Sequence, residues 1–134
     1  MKHRLLQFLH CPDCGGEFAI ENARERQGEV EEGTLVCNKG GHSYSVANYI
    51  PRFVGDDNYA RGFGFQWHIH AKTQIDKFNG TRISRDRFYE GTSWGGEALE
   101  GQRVLEVGCG ASRFTEIMLE AGMEGFSVDY SNSS

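Results

Sequence analysis

Apolar residues are spaced differently in three stretches of this chain, and each spacing predicts a different kind of element. Near the start they come in short, broken runs. Phe18-Ala-Ile20 reads as a strand, residues 21–33 as a Glu-, Arg- and Gly-rich solvated hairpin loop, and Thr34-Leu-Val36 as a strand entering Cys37. Ser43 to Ile50 reads as another strand, with Tyr44, Val46 and Ile50 turned to a small core. The middle is dense in aromatics from Tyr59 to Trp67. After it, His68 to Phe78 has a helical pattern ended by Asn79-Gly80, and Ser84 is placed to cap a second short helix through Phe88 or Glu90. In the last stretch Arg103 to Val107 is a β-branched run that enters Gly108-Cys-Gly-Ala-Ser112. Phe114, Ile117, Met118 and Ala121 then fall on one helical face, with Ser112 as N-cap and Gly122 just past the end. Gly125 to Asp129 is the following strand, so the order is strand, glycine turn, helix, strand.

Composition narrows the class. Of 134 residues 18 are Gly and only 2 are Pro, with no triplet period, which excludes collagen and Pro-rich linkers. No apolar run approaches the ~18 residues of a membrane span, and the apolar stretch after Met1 is too short for a secretory signal. A cytoplasmic protein is expected. The net charge of −5 lacks the basic footprint of a nucleic-acid binder, and the acidic residues within 17–32 oppose phosphate. The middle of the chain is mildly basic and the end acidic.

Three of the four cysteines cluster early. In a cytoplasmic chain they are poor disulfide candidates. Cys11-Pro-Asp-Cys14 has the spacing that lets two thiolates reach one ion from a tight turn, and Cys37 follows the second predicted strand. A second knuckle of the same kind would place its second Cys at position 40, which is Gly. The nearest competent side chain is His42, so the expected structural zinc site is Cys11, Cys14, Cys37 and His42, with His10 as the rival fourth ligand and His3 a more distant one. About 50 residues with so few apolar groups need such a staple, and zinc supplies on the order of 10–16 kcal/mol in peptides of this kind. Four protein ligands leave no open position for catalysis.

The glycine turn at 108–112 carries a second expectation. Its last position is Arg113, where a dinucleotide-binding turn has Gly, which argues against NAD or FAD. Glu106 suits a positively charged, amine-bearing ligand, and Asp129, ending the next strand, can hold ribose hydroxyls. A cationic, amino-acid-bearing adenosine is S-adenosylmethionine. Cys109 in this turn is read as a small residue filling a tight bend rather than a nucleophile, since no His follows it in the chain.

The stretch Val104 to Thr115, with Val128-Asp129, resembles the first motif and second strand of S-adenosylmethionine-dependent methyltransferases of the Rossmann-like class. The resemblance implies Glu106, Gly108, Gly110 and Asp129 as cofactor-binding residues, with Ser112 standing where that family often has Gly. Residues 5–54 are similar to zinc ribbons of the tRNA methyltransferase activator type, through Leu9-His-Cys-Pro-Asp-Cys14, Gly41-His-Ser-Tyr44 and Ile50-Pro-Arg-Phe53. Gly40 departs from that pattern. In fused relatives an aromatic segment like Phe63 to Trp67 looks like a lid; interdomain packing is the plainer reading, and nothing selects a general base among His68, His70 and Tyr59.

The expected architecture is α/β: a zinc ribbon over 1–54, a helical linker or lid over 55–100, and over 101–134 the first βαβ unit of an incomplete Rossmann-like sheet. The resemblances imply the N-terminal part of an S-adenosylmethionine-dependent methyltransferase acting on an unidentified acceptor. The alternative is a non-catalytic ribbon module that binds and stabilises a partner methyltransferase. Two parallel strands under one helix leave sheet edges and faces open, so a completing protein partner or a homodimer is expected.

Overall fold

The structure, a computed structural model, describes residues 1–55, 72–94 and 99–131. It divides into two compact units, Met1–Gly55 and Asp56–Ser134.

The first unit is a four-stranded antiparallel sheet in the order β1 (Phe18–Arg26), β2 (Glu29–Cys37), β3 (Ser43–Ala47) and β4 (Ile50–Pro51). A short 3-10 turn over His3–Gln7 precedes it. The stretch 21–33, expected as a loop, is instead paired along most of its length, from Phe18↔Cys37 to Arg26↔Glu29. Two features make this possible. Gln27 and Gly28 both have positive φ, which is the twist a two-residue hairpin turn requires. Arg24 forms ion pairs with Glu31 and Glu32 across the strands, so the polar positions pair with one another in place of an apolar face. A register shift between Glu21 and Arg24 adds local twist.

β3 and β4 are joined by Asn48-Tyr49, again with both residues at positive φ. The expected single strand to Ile50 is thus broken into a small hairpin. Val30 and Leu35 are fully buried, with Met1, Cys11, Phe18, Cys37 and Val46 around them. The Met1 amino group donates to the Val30 carbonyl, and the Val30 N–H donates to the Met1 carbonyl at 2.9 Å, which pins the start of the chain to β2. Phe18, Tyr44 and Phe53 form an aromatic trio with centroids 5.1–5.9 Å apart.

The second unit contains α1 (Asp76–Asn79), α2 (Ile83–Thr92), β5 (Arg103–Val107), α3 (Thr115–Glu120) and β6 (Glu124–Val128). Ser84 was the expected cap of α2, but it lies inside the helix. Its hydroxyl is buried and donates to the Gln74 carbonyl at 2.7 Å. The capping is done by Asp76, whose carboxylate accepts the N–H groups of Ser84 and Arg85 at 3.0 and 2.9 Å. Strands β5 and β6 pair in parallel, Arg103↔Glu124 through Val107↔Val128, with α3 between them in sequence. Ile117 and Met118 of α3 are buried with Phe88, Leu99 and Met123, and Val104, Phe114 and Ala121 pack against them. The helical face read from the sequence is the one that is buried. The alternate positions of β5, Leu105 and Val107, are exposed. Ser112, expected as the cap of α3, instead sits in the preceding turn with φ of 65°. Among the described residues this sheet has two strands, so the expected Rossmann-like sheet is represented by one parallel pair. The aromatic segment 59–67, His68 and His70 lie outside the described residues.

Candidate metal centre

Four side chains from two turns converge in the first unit. The ligand atoms of Cys11, Cys14, Cys37 and His42 all lie within 4.8 Å of one another. Cys11 Sγ is 3.3 Å from His42 Nδ1, and Cys14 Sγ is 3.4 Å from Cys37 Sγ. Zinc with Zn–S bonds of ~2.3 Å in a tetrahedron separates its ligand atoms by about 3.8 Å, so this spread fits one ion held by three thiolates and an imidazole. Cys11 and Cys37 are buried, and Cys14 and His42 half-buried. All four cysteines of the chain are free thiols. His10 is exposed, and His3 is bonded to Glu25 at 2.9 Å; neither is part of the group.

The two turns are built alike. The Gly15 N–H donates to the Cys11 carbonyl at 2.7 Å, and the Gly41 N–H to the Cys37 carbonyl at 3.0 Å. The Cys11 N–H donates to the Gly16 carbonyl, and the Cys37 N–H to the His42 carbonyl, both at 2.8 Å. β2 delivers Cys37 to the second turn, and the pairing Phe18↔Cys37 sets it beside the first.

The electrostatics favour the thiolate at Cys11 and Cys37; at Cys14 the Gly16 N–H lowers the thiol, but the Cys37 and Cys11 sulfurs and burial outweigh it and raise it. Burial pushes the Cys11 thiol up, but the Tyr44 hydroxyl and the Asp13 and Cys14 N–H groups outweigh it and bring it down to about 6. The Gly40 N–H leads in lowering Cys37, against its burial. His42 is raised, chiefly by its bond to Cys11. One contact beside the group went unread in the sequence, where Tyr44 is expected only to face the small core. The Tyr44 hydroxyl donates to Asp13 Oδ2 at 2.6 Å and lies 3.6 Å from Cys11 Sγ, so it braces the first turn from outside the ligand set. The only trace of this in the sequence is the aromatic two residues after His42.

The residues expected to hold S-adenosylmethionine are in the second unit. Gly108 and Gly110 have positive φ in the turn after β5. The Gly110 N–H donates to Asp129 Oδ2 at 2.8 Å, while the Ser131 N–H and hydroxyl donate to the other oxygen. Burial raises the Asp129 carboxyl, and these donors hold it below its usual value. Glu106 accepts the hydroxyls of Thr115 and Ser127. Gly110 and Asp129 are therefore in direct contact, and Glu106 is bonded to a separate pair of hydroxyls. Burial and the charges of Asp129 and Glu106 push Cys109 up to about 11, which leaves it unreactive.

A family model described as Trm112p, Trm112p-like protein, matches residues 2–48. The comparison with curated proteins finds no match. Among solved structures, a chain of the complex between the Haloferax volcanii Trm112 methyltransferase activator and a methyltransferase is 28% identical. The match covers 42% of this chain and 97% of that one, with a TM-score of 0.38. These findings correct the expectation that this chain is itself a methyltransferase enzyme. The one family match falls on the ribbon, over residues 2–48, and no methyltransferase family matches the stretch that carried the expectation.

Proposed function

We propose that this chain is a non-catalytic zinc-ribbon module that binds and stabilises a partner methyltransferase. The observation that carries the reading is the coincidence of the Trm112p-like match over 2–48 with the folded unit that holds the Cys/His group. Zinc would be held by Cys11, Cys14, Cys37 and His42, where it supplies fold energy and no reaction chemistry, since four protein ligands leave no position for a substrate. In this reading the chain is divided into a ribbon over 1–54, a helical linker or lid segment over 55–100 and a Rossmann-like strand–turn–helix–strand unit over 101–134. The four free thiols are in keeping with a cytoplasmic setting. No described helix is long and apolar enough to cross a membrane.

The test is isolation of the intact chain from its native cells with a C-terminal tag, since the Met1 amino group is bonded inside the ribbon. A methyltransferase, identified by mass spectrometry, is expected to accompany the wild type and to be lost with Cys37→Ser. The methyl-transfer activity of the complex is expected to fall when the chain is removed. Methyl transfer by the purified chain alone, or recovery of the chain without any methyltransferase, overturns the reading.

A further inference from the structure

The two metal-binding turns share a hydrogen-bond frame but place their second ligand differently. Counting from the first cysteine of each turn, Cys14 and Gly40 occupy the fourth place, and Gly16 and His42 the sixth. In both turns the fifth residue donates to the first carbonyl, and the first N–H donates to the sixth carbonyl. Each turn therefore has one ligand and one glycine at these two places, in opposite order.

The glycines are not required by the backbone, because neither Gly16 nor Gly40 has a positive φ. They are required by space. A Cβ on Gly16 would lie 2.6 Å from Cys37 Sγ. A Cβ on Gly40 would lie 2.5 Å from His42 Cε1, 2.7 Å from His42 Nδ1 and 3.1 Å from Cys14 Sγ. Both absent side chains would point into the ligand group. In the second turn the fourth and sixth places thus aim at the same corner, and only one of them can fill it, whereas the sixth place of the first turn aims at Cys37 Sγ and Lys39 Cβ of the other turn.

We infer that the second turn offers two alternative ligand positions, fourth and sixth, and that Gly40 is the residue that makes His42 the fourth ligand by leaving its corner empty of any other side chain. The inference rests on reading the four residues as a zinc site. It assigns Gly40 a positioning role, although it has no ligand atom. It also gives a reason why the second turn tolerates the loss of its second cysteine. A histidine two residues later reaches the same corner, provided the fourth place is glycine.

Cobalt(II) absorption of the intact chain tests this, since the thiolate charge-transfer bands and the d–d bands report the number and kind of ligands. The wild type is expected to show three thiolates and one nitrogen. Gly40→Ala is expected to displace the imidazole, remove the three-thiolate, one-nitrogen spectrum and weaken cobalt binding roughly 10–100-fold. Gly40→Cys/His42→Gly rebuilds the second turn on the plan of the first, and is expected to bind cobalt through four thiolates. A four-thiolate spectrum in the double variant supports the inference even where Gly40→Ala fails to fold. An unchanged spectrum in Gly40→Ala, or no four-thiolate site in the double variant, overturns it while leaving the metal reading intact. A wild type that binds no cobalt overturns both.

Discussion

Ser112 shows how one side chain can be misplaced by its neighbours' pattern. It precedes an apolar helical face and has the right chemistry for an N-cap, yet it adopts φ of 65° in the glycine turn, and Phe114 occupies the cap position without a side-chain bond. A non-glycine residue in this region carries a local cost of about 1 kcal/mol. Ser112→Gly is therefore expected to stabilise the protein by about that amount. Chemical denaturation followed by α3 helix signal checks it, and an unchanged or lowered midpoint counts against the strain. Gly16 and Gly40 are the opposite case, because their backbone is ordinary and only the space beside the ligand group forbids a side chain.

At the scale of elements, α2 depends on a carboxylate outside it. Asp76 accepts two N–H groups of its first turn and the Thr81 hydroxyl. Burial would raise its carboxyl, but the Arg85 and Ser84 donors outweigh this and hold it below the ordinary 3.8. A depressed carboxyl stabilises fully above its unfolded value and loses that contribution as pH falls through the folded one. The melting temperature gap between wild type and Asp76→Ala is expected to stay constant from neutrality to about pH 5 and to close below about pH 3.8. A gap independent of pH would show that the charge is not what caps the helix. The same scale shows what the sequence made legible. The Cys11-x-x-Cys14 turn and the Phe114, Ile117, Met118 face could be read because spacing alone fixes them. The outer hairpin could not, because β1 exposes both of its faces beyond Ile20, β2 buries Val30 alone in that stretch, and Arg24 pairs with Glu31 and Glu32 where an alternating strand would bury apolar groups. The Asp76 cap was hidden because its partners lie eight and nine residues away, beyond any local capping pattern.

Across the whole molecule, each unit has a core of its own, one around Val30 and Leu35 and one around Phe88, Ile117 and Met118. Only the first includes cysteines of the Cys/His group. Chelation is expected to collapse the dispersed amide signals of residues 1–55 in NMR spectra and to leave those of 103–128 in place. Uniform loss, or none, would contradict that division. Protons compete with metal for thiolate and imidazole, so affinity must fall as pH falls. Zinc release to a chromogenic chelator is therefore expected to rise as pH is lowered from neutrality, and release independent of pH would count against thiolate and imidazole ligands. The hairpin that joins the two turns has a further consequence. It brings Cys14 and Cys37, 23 residues apart in sequence, to 3.4 Å, so strand pairing and closure of the loop between them are one event. Strand side chains alternate, so one residue inserted between the Gln27-Gly28 turn and Cys37 would rotate that cysteine to the opposite face of the sheet. The arms of this hairpin can therefore change by one residue only where a bulge takes up the offset, as the register shifts at Glu21–Arg24 and Arg24–Glu25 do, so the placement of Cys37 depends on the bulges of the outer hairpin.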